Sequence, residues 1–316
     1  MAQIVLLYFG HINLDWNIMN SALPFSPETT ILPEVKAFFD EATETFSYVV
    51  KDPASSSCAV IDSVMNLDYP SGTTSYAGAD KIIDWITEKN LTLEWLLETH
   101  VHADHLTAAP YIQEKLGGKI GIGKHISVVQ DVFANIFNAE PEFKRDGSQF
   151  DVLFSDGDTY KIGELTAHTI HTPGHTPACM TYVMGNVAFI GDTLFMPDVG
   201  TARADFPGGD AKVLFQSIKK VLSLPESTRL FMCHDYPDGR QVECETTVGA
   251  EKKGNIHVHD GIKEDEFVKM REARDATLDM PTLILPSLQV NMRAGHLPPE
   301  ENDGRVYLKL PLDAFK

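Results

Sequence analysis

The chain has 316 residues, 43% of them hydrophobic, and carries 26 Lys and Arg against 45 Asp and Glu, a formal charge of −19. That is enough apolar material for a substantial core, and a surface so acidic disfavours nucleic acid as a partner. No apolar run approaches the ~20 residues of a membrane span, so no membrane association is expected.

The N-terminal run Ile4–Phe9 lacks a basic flank and is not read as a signal peptide. Residues 1–32 show no clear pattern and are taken as an N-terminal extension, with a single domain over 33–316. Strands are predicted at 45–50 and 58–62 around the turn Asp52-Pro53-Ala54, then a helix over 79–89 with Ile82, Ile83 and Ile86 on one face. A strand at 93–98, a helix over 106–116 ending at Gly117-Gly118, a strand at 119–122 and a helix over 128–137 follow. The second half repeats this logic: strands at 159–162 and 165–171, a hairpin of 178–183 with 187–190, a helix over 211–222, a strand at 229–233 and a charged helix over 264–278. The proline-broken tail from Met280 reads as mostly irregular. Two sheets face to face with helices outside satisfy the pattern. Cys58, Cys179 and Cys233 fall in apolar strands, and with Cys244 they show no C-x-x-C spacing. They suit a reducing, cytoplasmic setting better than a disulfide frame.

Polar clusters close the apolar strands. His100-Val101-His102-Ala103-Asp104-His105 follows the 93–98 strand; His175 lies in Thr172-Pro173-Gly174-His175; Asp192 follows Phe189-Ile190-Gly191; His234 follows Phe231-Met232-Cys233. Strand ends at one edge of a sandwich converge, and Gly174 and Gly191 let the backbone turn tightly there. A lone His175 would read as a surface histidine and a lone Asp192 as a helix cap. Beside the H-x-H-x-D-H cluster they read as metal ligands. His168 and His171 alternate along a strand and are not read as ligands; His257 and His259 imitate H-x-H without the strand before or the Asp-His after, and are read as structural.

These residues resemble the metallo-β-lactamase superfamily, which implies a four-layer αββα sandwich with a metal site at the edge of the sheets. Thr172–Tyr182, Gly191–Phe195, Gly200–Phe206, His234-Asp235-Tyr236 and Asn291-Met292-Arg293-Ala294-Gly295 resemble the persulfide dioxygenases, the ethylmalonic encephalopathy protein-like family. The segment Asp238–His259 is longer than in the human type and is similar to a bacterial subgroup with an extended loop.

The resemblance implies one Fe(II) per chain held by His100, His175 and Asp192, with Zn as the alternative metal. Two imidazoles and one carboxylate leave coordination positions for substrate and dioxygen. His102, Asp104, His105 and His234 are implied as a supporting shell, and a second metal there stays open. The implied substrates are glutathione persulfide, or a related thiol persulfide, and O2, with sulfite as product. Arg203, Arg240 and Arg293 are candidates to hold the carboxylates of glutathione, Arg203 alternatively pairing with Asp205. Tyr236 is a candidate to hydrogen-bond substrate, or a half-buried ring at a strand end. The family's frequent dimers imply a homodimer as candidate assembly. The competing readings are a glyoxalase II-like hydroxyacylglutathione hydrolase with a binuclear site, and a metal-dependent binding or sensing protein without turnover. The acidic charge argues against a nuclease.

Overall fold

The computed structural model describes residues 23–314, so most of the expected N-terminal extension lies outside the described residues. The first half runs β1 (Glu34–Asp40), β2 (Thr45–Lys51), β3 (Ser57–Ile61), β4 (Val64–Asp68), β5 (Thr73–Ser75), α1 (Ala77–Glu88), β6 (Thr92–Leu97), β7 (Leu106–Thr107), α2 (Ala109–Leu116), β8 (Lys119–Gly123), α3 (Ile126–Ile136) and β9 (Val152–Phe154). The second runs β10 (Thr159–Ile162), β11 (Leu165–His171), β12 (Met180–Met184), β13 (Val187–Phe189), α4 (Ala211–Val221), β14 (Arg229–Phe231), β15 (Glu245–Thr247), α5 (Val248–Gly254), α6 (Glu264–Asp275) and α7 (Ile284–Asn291).

Each half supplies one six-stranded sheet, ordered β1-β2-β3-β6-β8-β9 and β10-β11-β12-β13-β14-β15. The period of two in a strand explains how they stack. Along β2, Phe46, Tyr48 and Val50 enter the core between the sheets, while Val49 joins the core under the helices of the first half. In β3, Ala59 and Ile61 face inward and Cys58 and Val60 outward. Phe189 and Phe231 meet Tyr48 from the second sheet, each at 5.3 Å between ring centroids. α4 covers the outer face of the second sheet with Leu214, Ile218 and Val221, its first turn capped by Asp210, which accepts from Val213 N at 2.9 Å. The result is an αββα sandwich.

Residues 23–32 lie along the second sheet: Phe25 stacks on His168 at 4.1 Å, and Ile31 O accepts from Asn186 N at 3.0 Å. The helix expected over 106–116 begins later. Pro110 cannot sit in a helix interior but suits its first turn, so the helix starts at Ala109 and Leu106-Thr107 pair with β4 instead. The tail expected to be irregular contains α7, where Pro286 falls in the first turn and is likewise tolerated. No helix of the described residues is long and apolar enough to cross a membrane. All four cysteines are free.

Candidate metal centre

β6 lies between and parallel to β3 and β8, and β13 is parallel to β14. Their C-terminal ends open on one edge of the sandwich. β6 delivers Glu98–His105, β13 delivers Asp192 and β14 delivers His234, while the β11–β12 loop brings His175. Two glycines make the approach possible. At Gly191 (φ +51°) a Cβ would stand 2.6 Å from Thr99 Oγ1; at Gly174 (φ +130°) it would stand 2.3 Å from the Leu214 backbone.

Ligand atoms of His100, His175 and Asp192 lie within 4.8 Å of one another, as do those of His102, Asp104 and His105, and those of Asp192, Cys233 and His234. The imidazoles form a row: ring centroids are 5.1 Å apart for His175 and His100, 4.0 Å for His100 and His102, 4.1 Å for His102 and His105, and 6.4 Å for His105 and His234.

Each ring is held by the nitrogen that faces away from the row. His175 Nδ1 donates to Arg203 O at 2.8 Å and His234 Nδ1 to Glu44 O at 3.0 Å, which leaves a lone pair on Nε2 of both. His100 Nδ1 meets Thr99 Oγ1 at 3.0 Å, His105 Nδ1 meets Asp104 Oδ2 at 3.2 Å, and His102 Nε2 meets Asp62 Oδ1 at 3.0 Å. His100 Nε2, His102 Nδ1, His105 Nε2, His234 Nε2 and Asp192 Oδ1 are buried and have no hydrogen-bond partner. A buried polar atom without a partner costs about 1–3 kcal/mol, and all five belong to the donor groups above, so they fit metal cations held at this edge. Burial, then the neighbouring His102 and His175, pushes His100 well below the ordinary histidine range. It is therefore neutral, the form that ligates metal. Burial alone would raise Asp104, but His234 and His105 outweigh it and hold the carboxylate well below its usual range.

The supporting residues went largely unrecognised in the sequence. Asp62 accepts from Thr99 N at 2.7 Å and Thr99 Oγ1 at 2.8 Å besides holding His102. It follows β3 as Asp192 follows β13, apolar strand then acid, and that repetition was the available signal. Glu98 accepts from Thr107 Oγ1 at 2.6 Å and lies 3.4 Å from His102 Nε2. Asn291, at the end of α7, clamps the metal loop: Nδ2 donates to His102 O at 2.9 Å and His105 O at 2.8 Å, and Oδ1 accepts from Thr107 N at 2.9 Å. From α6, Arg271 donates to Thr201 O at 3.0 Å and Asp275 accepts from Ala204 N at 2.9 Å, fixing the loop whose Arg203 carbonyl holds His175.

The cations expected at the substrate are already paired. Arg203 makes two bonds to Asp205, at 2.6 and 2.8 Å, and one to Asp279 O at 2.7 Å. Arg240 bridges Asp235 and Asp198. Arg293 pairs with Glu140 at 2.6 Å and lines a separate cavity of about 180 Å³ with Tyr307 and Lys309, which none of the donors above lines. Tyr236 stands at the far end of the row, its ring stacked on His234 at 5.8 Å and edge-on to Phe195 at 5.5 Å. His171 stacks on His125 at 4.5 Å, and His257 Nδ1 accepts from Thr201 N at 3.1 Å; neither belongs to the donor groups.

A family profile described as the Metallo-beta-lactamase superfamily matches residues 41–234. The chain belongs to the metallo-β-lactamase superfamily. The donor cluster is accordingly that superfamily's His/Asp metal-binding site. The chain is 57% identical to a probable metallo-hydrolase of Burkholderia pseudomallei, over 89% of this chain and 99% of the relative. It is 47% identical to glyoxylase B2 of Dictyostelium discoideum, over 90% and 98%. It is 29% identical to the human mitochondrial persulfide dioxygenase ETHE1, over 83% and 88%. Among solved structures it is similar to ETHE1 from Myxococcus xanthus, with a TM-score of 0.66 and 28% identity over 83% of this chain and 100% of that one.

Proposed function

We propose that the chain is a persulfide dioxygenase. Glutathione persulfide or a related thiol persulfide, one O2 and one water give the thiol, sulfite and two protons. The observation that carries the reading is the meeting of His100, His175 and Asp192, two imidazoles and one carboxylate, with their donor atoms within 4.8 Å. When bound there, one Fe(II) supplies open coordination positions and redox chemistry for a sulfur anion and dioxygen. The likeness to the human persulfide dioxygenase and to the Myxococcus xanthus structure supports it.

The chain's own residues then divide the work. Thr99 Oγ1 and the Arg203 carbonyl aim His100 and His175. Asp104 Oδ2 and His234 Nε2 lie 3.2 Å apart and set the charge beside the triad. Tyr236, at the exposed end, offers its hydroxyl to the incoming persulfide. Arg203 and Arg240 would each have to release an aspartate to grip a substrate carboxylate, so in this reading they shape the rim through Asp205 and Asp235.

A second reading is a glyoxalase II-like hydroxyacylglutathione hydrolase. His102, Asp104, His105 and His234 could complete a binuclear site, and relatives at higher identity carry the names metallo-hydrolase and glyoxylase B2. Anaerobically purified protein separates the two. The first reading requires about one iron per chain, oxygen uptake and sulfite from glutathione persulfide. Lactoylglutathione hydrolysis without oxygen uptake, at two metals per chain, would establish the second and end the first.

A further inference from the structure

The two ends of the histidine row differ. At one, His234 stacks on Tyr236, a ring 44% exposed beside the ion pairs of Arg240. At the other, His175 meets Phe206 edge-on at 5.2 Å and faces a cleft of about 20 Å³. Val101, Ala103, Phe133, Phe206 and Leu288 line that cleft with His175, and all six are buried. They come from the metal loop, from α3, from the β11–β12 loop, from α7 and from the loop after Arg203, so five segments build it together. A space of about 10–15 Å³ admits a water only where two to four polar partners receive it. This lining is almost wholly aliphatic and aromatic, and such a space stays dry.

A charged thiol persulfide is disfavoured in such a space, where an unpaired charge is costly to bury. A neutral apolar diatomic, little larger than water, is favoured in the dry cleft over bulk solvent. We propose that the cleft beside His175 is the holding site for dioxygen on its way to the metal centre. This occupant follows from the dioxygenase reading above; the cleft's affinity for a small apolar gas does not depend on it.

Xenon is the probe. Crystals of the iron-loaded protein under xenon pressure should show one xenon between Phe133, Phe206 and Leu288. Val129, also buried on the cleft wall, lies on α3 away from the ligands. Val129→Phe should displace the xenon and raise KM for O2 several-fold, with KM for glutathione persulfide and iron content held. Oxygen uptake with no xenon in the wild-type cleft, or an unchanged KM for O2 in a folded Val129→Phe, overturns the cleft assignment and leaves the dioxygenase reading standing. Xenon in the cleft with no oxygen uptake from any persulfide overturns the dioxygenase reading and dioxygen as the occupant.

Discussion

Replacing Asn291 with alanine removes one side chain and strands three backbone groups. Thr107 N, His102 O and His105 O each lose a partner at 2.8 to 2.9 Å, and the site is buried, so water cannot replace them without opening the helix end. At about 1–3 kcal/mol for each unsatisfied group, and with partial relaxation, Asn291→Ala should lower unfolding free energy by about 3 kcal/mol. That is a large part of the roughly 5–15 kcal/mol that a folded protein has. The clamp also sets where His102 and His105 stand. Its loss should weaken metal retention by about 10–100-fold, as removal of outer hydrogen-bond partners does elsewhere. Urea unfolding of chelated protein measures the first effect and competition with a graded chelator the second. A variant that unfolds with the wild type and holds metal as tightly would refute the argument that α7 positions the metal loop. Loss of stability with unchanged metal affinity would reduce Asn291 to a packing role.

His100→Ala deletes a donor whose Nε2 has no other partner, so metal affinity should fall by more than the roughly 10–100-fold seen for outer partners, and turnover with it; metal analysis after dialysis checks it. Gly191→Ala forces a left-handed φ and a Cβ 2.6 Å from Thr99 Oγ1, which should cost about 2 kcal/mol and tilt Asp192 out of the donor set; intact stability with full metal content would contradict this. Glu251 is fully buried, accepts from Asn255 Nδ2 at 2.6 Å, and burial pushes its carboxyl from 4.5 up to about 8. The folded state therefore keeps a proton that the unfolded chain releases. Its contribution is complete below pH 4.5 and declines by about 1.4 kcal/mol per pH unit until it is lost near pH 8. Glu251→Gln should flatten that decline in urea melts between pH 5 and 8, and parallel curves for the two proteins would show the carboxyl to be ordinary.

The sandwich was legible because its strands are short apolar runs, each closed by a polar cluster, and because the helices of both halves carry a clear apolar face. The donors could be read for the same reason: H-x-H-x-D-H has few other uses, and His175, Asp192 and His234 each follow or join an apolar strand. What escaped was anything set by tertiary contact. Leu106-Thr107 read as helix because the sequence gives its stop signal only at Gly117-Gly118, and only pairing with β4 and the Asn291 clamp make it a strand. α7 was hidden by prolines that a first turn tolerates. Asp62, Glu98 and Asn291 are single polar residues whose partners lie from 4 to 189 positions away along the chain, and no local pattern announces them. The pairing of Arg203 with Asp205, two positions on, was open to the sequence as an alternative, but nothing local signals that Asp235 and Glu140 claim Arg240 and Arg293.

His175 and His234 donate their Nδ1 hydrogen bonds to peptide oxygens of residues 203 and 44. An acceptor carried by the main chain survives every replacement of the side chain attached to it. The aim of both imidazoles is therefore written in the path of two loops, and replacements at residues 203 and 44 that keep the backbone path, the left-handed φ of +53° at Glu44 included, will report rim chemistry while leaving ring orientation untouched. A change of loop length, of the peptide linkage itself, or of the Arg271 and Asp275 that fix the loop at residue 203, reaches it.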